Sequence, residues 1–96
     1  MRKQKAQALG VLVSQFMREE GLEAPYNEYR LMEAWPKVMG EGIASYTTDL
    51  QIRNRVLYVR LSSSVIRSEL MSGRKNLVYR LNEYVGSQVI ENIVLS

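Results

Sequence analysis

The sequence predicts an α+β fold: a three-stranded sheet with helices on one face, in the order α-α-β-β-α-β. Three observations carry this. Apolar residues recur at helical spacing near the start and again after a triple serine. Two β-branched and aromatic runs lie between those helical stretches, and a third such run closes the chain. A right-handed crossover through the last helix then sets the third strand beside one of the first two.

The first helix is expected over Gln4 to Glu20, where Leu9, Leu12, Val13, Phe16 and Met17 fall on one helical face. Gly21 supplies its stop, and Leu22 to Tyr26 read as a loop because Pro25 disfavours helical geometry for Ala24. A second helix should start near the capping residue Asn27 and run through Tyr29, Leu31, Met32 and Trp35. Its register is expected to change at Pro36, with a short helical turn that Gly40 and Gly42 terminate. Ser45 to Ile52 reads as a strand, Arg53-Asn54 as a tight turn, and Val56 to Leu61 as the clearest strand in the chain. Alternation there sends Leu57, Val59 and Leu61 to one face and Val56, Tyr58 and Arg60 to the other, as in a sheet covered on one side. Ser62, Ser63 and Ser64 offer a cap for a long helix carrying Val65, Ile66, Leu70, Leu77, Val78, Leu81 and Val85, stopped by Gly86, with Gly73 a point where it can break. Gln88 to Leu95 reads as the third strand.

A chain of 96 residues is expected to form one domain over residues 1–96, with residues 1–5 a frayed basic arm. At this size it buries roughly 60 to 65 percent of its unfolded surface, so the core must be small. There is no cysteine and no histidine. That removes disulfides, the usual zinc ligands, and the Ser-His and Cys-His pairs of nucleophilic catalysis. No cofactor, metal or small-molecule substrate is expected, and no enzymatic reaction. The basic start is followed by an amphipathic segment broken by Gln7, Ser14, Gln15 and Arg18, unlike a signal peptide, and no apolar run reaches membrane-spanning length. A cytoplasmic location without membrane contact is the expectation.

Net charge is only +3, but it is segregated along the chain. Seven acids, from Glu19 to Asp49, face only Arg30 and Lys37. From Arg53 to Arg80, Arg53, Arg55, Arg60, Arg67, Arg74, Lys75 and Arg80 stand against Glu69 alone. The basic half can focus an attractive field on an anionic partner, although two solvated faces of opposite sign give the same pattern.

Ala34-Trp35-Pro36-Lys37-Val38-Met39-Gly40-Glu41-Gly42-Ile43-Ala44 resembles the Trp-x-x-Val-x-Gly-x-x-Ile-Ala signature of the DciA-like bacterial family. Leu57 to Ser64 resembles that family's strand and serine turn, Glu69-Leu70 its Glu-Leu pair, and Leu81-Asn82 with Gly86 its closing helix. The resemblance covers roughly Leu9 to Leu95 and implies a KH-like domain of bacterial DNA replication that works with the replicative helicase as a loader or operator and touches DNA. Three features depart from the pattern. The flexible tail implicated in helicase contact is expected to be missing after Ser96, Val65 or Ile66 stands where a second tryptophan is common, and Ser72-Gly73-Arg74-Lys75-Asn76 has one glycine where a KH clamp has two.

Tyr58 and Arg60 pair an aromatic platform with a cation on one face of a strand, the combination single-stranded nucleic-acid binders use. Arg53 and Arg55 flank the turn and extend that patch. Arg67 and Arg74 lie within about 20° of each other around a continuous helix. Arg74 and Lys75, beside a break at Gly73, would flank exposed amides, and Arg80 follows on the same helix. The plain alternative for each is a charged turn or a solvated helix face. Trp35, the only tryptophan, reads as a core anchor, and Gly40 and Gly42 as structural stops. The expected partner is single-stranded or fork DNA. The competing expectation is a protein adaptor that docks on the replicative helicase or an initiator protein through its acidic half or its open sheet edge, without touching DNA.

Overall fold

Helix α1 (Arg2–Glu19) leads into α2 (Glu23–Met39) and the short α3 (Glu41–Ser45). Strands β1 (Thr47–Arg53) and β2 (Val56–Leu61) follow, then α4 (Ser64–Met71), α5 (Arg74–Val85) and β3 (Asn92–Leu95). The computed structural model describes the backbone of residues 2–96 and side chains from Leu9 onward, so Met1 and the side chains of the expected basic arm lie outside the described residues. The predicted order holds, with α3 added and the last long helix divided at Ser72-Gly73.

The first connection keeps its predicted stop at Gly21 but is shorter than expected, for a physical reason. Gly21, at φ 67°, closes α1 with a Schellman motif in which its N–H donates to Arg18 O and that of Leu22 to Met17 O. Because the motif turns the chain so tightly, α2 starts at once, at Glu23. Pro25 does not hold the chain in a loop. It sits in the first turn, where a missing N–H forfeits no helical bond.

Nor does the register change at Pro36, which lies inside α2. The helix ends three residues later at Met39 and is capped by Gly40, whose φ of 89° suits only glycine and whose N–H donates to Pro36 O. Gly40 alone is the stop. Gly42 is not, because it falls within α3, a turn that opens when Ala44 N–H donates to Gly40 O.

The sheet has strand order β1-β2-β3, antiparallel between β1 and β2 and parallel between β2 and β3. β1 begins at Thr47 rather than Ser45, which α3 takes, and a register shift at Thr47/Asp49 leaves Thr48 as an extra residue. The hairpin turn is Asn54-Arg55, one residue later than predicted. Both residues have positive φ (50° and 63°), the signature of a two-residue turn whose twist matches that of the strands. β3 is also shorter than predicted, since residues 88–91 run irregularly into it.

Alternation on β2 sorts the sheet as the sequence implies. Leu57, Val59 and Leu61 are buried, together with Ile93 on β3, beneath Leu31, Ala34 and Trp35 of α2 and Leu77, Leu81 and Val85 of α5. Trp35 is 1% exposed, and its Nε1–H donates to Thr47 Oγ1 at 2.9 Å, while that hydroxyl donates to Ile43 O at 3.1 Å. One ring thus fixes α2 to the entry of β1.

α1 stands apart from this core. Its packing partner is α2, and its predicted apolar face remains largely in solvent, with Met17 alone among its predicted residues half-buried. The radius of gyration, 15.6 Å, exceeds the roughly 12.5 Å usual for a chain of this length, and the long axis reaches 50 Å.

Candidate nucleic-acid interface

The helices occupy one side of the sheet, and the other side is open. Its surface is set by strand register. Arg53 pairs with Val56 and Val56 with Asn92, Gln51 with Tyr58 and Tyr58 with Val94, and Asp49 with Arg60. Because cross-strand partners point to the same face, Tyr58 lies at the middle of this surface with Gln51 and Val94 on either side. Tyr58 is half-buried, while Arg53, Arg60, Asp49 and Gln51 are exposed.

The Arg53 guanidinium carbon lies 4.8 Å from the centre of the Tyr58 ring. At this distance the cation is attracted to the electron-rich face of the ring, a contact worth about 0.5 to 1 kcal/mol where solvent is present. The pair presents a flat guanidinium over an aromatic ring, two surfaces on which a planar group can stack. Arg60 adds a second cation along the strand. Opposite it, Asp49 offsets part of that charge, so the face carries two cations against one carboxylate.

The remaining predicted residues divide by what they already touch. Arg55 is part of the turn itself. Its Nε lies 3.4 Å from Glu91 Oε1, its Nη2 donates to Gln88 O at 3.0 Å, and its carbonyl accepts from Glu91 N–H. These contacts tie the hairpin to the approach of β3, so Arg55 does not extend the patch as a free cation. Arg80 reaches away from the sheet to donate to Val38 O at 3.1 Å, satisfying a carbonyl in the last turn of α2.

Arg67 is half-buried on α4. The 20° relation between Arg67 and Arg74 does not hold, because it presumes a continuous helix and the chain breaks at Ser72-Gly73. Arg74 and Lys75 are exposed in the first turn of α5, which has no acidic residue. They belong to the helical layer, across the molecule from Tyr58. The structure therefore gathers Arg53, Tyr58 and Arg60 on one surface and leaves Arg74 and Lys75 on another.

Three residues that matter to the open face escaped the sequence reading: Asp49, Gln51 and Val94. Their strands were recognisable, but which of their residues adjoin Tyr58 depends on the exact hairpin register.

An open, mixed three-stranded sheet with an arginine-capped tyrosine on its central strand defines a small α+β domain with one uncovered sheet face. Among the described residues no helix is long and apolar enough to cross a membrane. Comparison with known proteins is consistent with this class and narrower. Residues 8–95 match the family model described as "Dna[CI] antecedent, DciA", and the chain belongs to that family. A UPF0232 protein of Streptomyces avermitilis is 32% identical over 81 residues, covering 82% of this chain and 45% of its own length. A UPF0232 protein of Streptomyces coelicolor is likewise 32% identical over 81 residues, covering 82% of this chain and 43% of its own. The chain thus spans less than half the length of these curated relatives.

Proposed function

We propose that this chain is a non-enzymatic, DNA-associated module of bacterial DNA replication that contacts single-stranded or fork DNA through its open sheet face and works beside the replicative helicase. The observation that carries the reading is the Arg53–Tyr58 stack at the centre of an uncovered sheet, with Arg60 beside it. Membership of the DciA family supports the replication context. In this reading Tyr58 and Arg53 supply stacking, Arg60 draws the phosphate backbone, and Arg74 and Lys75 add a weaker, separate attraction for strands that pass around the edge. Arg55 and Arg80 hold structure, and their loss affects binding only through the fold.

The face itself neutralises few phosphates. For about two contacts on a single strand, log affinity should fall with log salt at a slope of roughly −1.4. Fluorescence anisotropy of a labelled single-stranded oligonucleotide at 50 and 200 mM salt tests this, with Tyr58→Ala, Arg60→Glu and Arg74→Glu in parallel. Removal of the ring should cost about 1 to 3 kcal/mol of binding. Arg60→Glu should reduce both affinity and slope, and Arg74→Glu should matter less. If the oligonucleotide binds and only Arg74→Glu weakens it, the sheet face is the wrong surface. Absence of binding at 50 mM salt would reject the DNA reading and favour the adaptor reading, for which the solvent-facing apolar side of α1 is the specific support.

A further inference from the structure

We infer that the free edge of β1 is a self-association surface, on which β1 of a second copy pairs antiparallel about a two-fold axis at Gln51 and joins the two sheets into one. In the order β1-β2-β3, β1 is an edge strand. On β2, Leu61 N–H donates to Ser96 O and Val59 O accepts from Ser96 N–H, so the backbone groups of Leu57, Val59 and Leu61 turn toward β3 and those of Val56, Tyr58 and Arg60 toward β1. Through the hairpin register, Arg53, Gln51 and Asp49 are then the residues bonded to β2, and the N–H and C=O groups of Leu50 and Ile52 point outward from the sheet. Among the described residues no hydrogen bond reaches these outward groups. Nor does β1 carry the lysine or proline with which sheet edges are commonly blocked.

Side-chain chemistry selects the occupant and the register. Two antiparallel copies can bond only with outward-pointing residues opposite one another, which leaves few registers. With Gln51 opposite itself, Leu50 faces Ile52 of the second copy and Asp49 faces Arg53 of the second copy, and symmetry repeats each match. On the helix side the rows across the joined sheet read Val59, Leu50, Ile52, Leu57, all apolar. On the open side they read Arg60, Asp49, Arg53, Val56, a carboxylate between two cations. Setting Leu50 opposite itself instead places Ile52 against Thr48 and Arg53 against Thr47, which loses both matches. Setting Ile52 opposite itself places Leu50 against the turn residue Asn54. One register therefore makes the strand complementary to its own copy on both faces. Leu50 and Ile52 pack against the core yet stay only half-buried in the single copy, and the second copy covers their open flank. In the same dimer Tyr58, Gln51 and their symmetry mates form one row, with the two tyrosines about 14 Å apart on a shared face. The pairing stands independently of what that face binds.

Size sets the strength. About four main-chain hydrogen bonds join Leu50 and Ile52 to their mates, and a contact between two short strands falls below the roughly 800 Å² per partner of a standard interface. The expected dimer is accordingly weak, with a dissociation constant of roughly 100 µM to 1 mM.

Sedimentation equilibrium from about 20 µM to 2 mM provides the test, with amide NMR alongside. The wild-type mass should rise from 11.1 kDa toward twice that value, and the amide signals of Leu50 and Ile52 should move with concentration. Asp49→Arg alone and Arg53→Asp alone each set like charges opposite one another, and each should weaken the dimer roughly tenfold. Mixed in equal amounts, the two variants should associate with each other at close to wild-type strength, because each then supplies the charge that the other lacks. Both side chains are exposed in the single copy, so near-ultraviolet dichroism from buried Trp35 should be unchanged in either variant. A wild-type chain that stays monomeric at 2 mM overturns the inference. So does a dimer that both reversals leave intact, or a pair of variants that do not rescue each other on mixing.

Discussion

Asn82 offers the sharpest test of how this fold is held. From the last turn of α5 its side chain reaches the irregular segment before β3 and makes three hydrogen bonds there. Nδ2 donates to Ile90 O at 2.8 Å, while Oδ1 accepts from Val89 N–H at 2.9 Å and from Ile90 N–H at 3.1 Å. Ile90 is wholly buried, so Asn82→Ala strands its donor and its acceptor away from water. At about 1 to 2 kcal/mol for each of those groups, and less for the half-buried Val89 amide, the gross loss is about 3 to 4 kcal/mol. Alanine's better helix propensity returns roughly 0.6 kcal/mol, leaving a net destabilisation near 3 kcal/mol. That is a large part of the 5 to 15 kcal/mol typical of whole proteins.

Urea unfolding followed by Trp35 fluorescence reads the effect. The midpoint should fall by about 2 M at a slope near 1.5 kcal/mol/M, with the slope itself unchanged. Asn82→Asp, which keeps the acceptor and loses the donor, should lie between wild type and alanine. A loss under about 1 kcal/mol for Asn82→Ala would refute the claim that this side chain organises the segment.

Two further outcomes follow from single contacts. Thr47→Val leaves the buried Trp35 Nε1–H without its acceptor and should cost about 1 to 3 kcal/mol in the same assay, whereas Thr47→Ser should recover most of it. Tyr79 accompanies Glu83 one helical turn on, and the hydrogen bond to that carboxylate, then its charge, raise the phenol above the usual tyrosine value by favouring the neutral form. Glu83→Gln should therefore bring the Tyr79 titration, followed by ring-carbon NMR, down toward pH 10.

The elements were legible where one physical signal dominates. Alternation on β2 named its buried face because the pattern of Leu57, Val59 and Leu61 has no helical reading. Trp35 read as an anchor because a large ring amid apolar periodicity has little alternative to burial. Prolines misled where their helix-breaking effect was taken without their position. Pro25 stands in a first turn that tolerates it, and Pro36 close enough to the end of α2 that little helix follows. The turn was displaced by one residue because Asn54 is a familiar positive-φ residue but Arg55 is not, and its conformation is held by Glu91 and Gln88, distant in sequence. That displacement preserves which residues face inward, yet it decides that Gln51 rather than Asp49 neighbours Tyr58. Likewise, Arg55 and Arg80 appeared as free charges because their acceptors lie in other elements.

The parallel pairing of β2 with β3 bears on the order in which the chain can fold. β1 and β2 form a hairpin as soon as they exist, but the other edge of β2 waits for β3, about 30 residues later, which at ordinary rates of protein synthesis is roughly 2 to 6 seconds. Through that interval Leu57 and Val59 present unpaired backbone and apolar side chains together, the combination most prone to joining a neighbouring chain. The α4–α5 crossover emerges in the meantime, and its ability to cover the inner face before β3 arrives sets how long the nascent hairpin stays exposed.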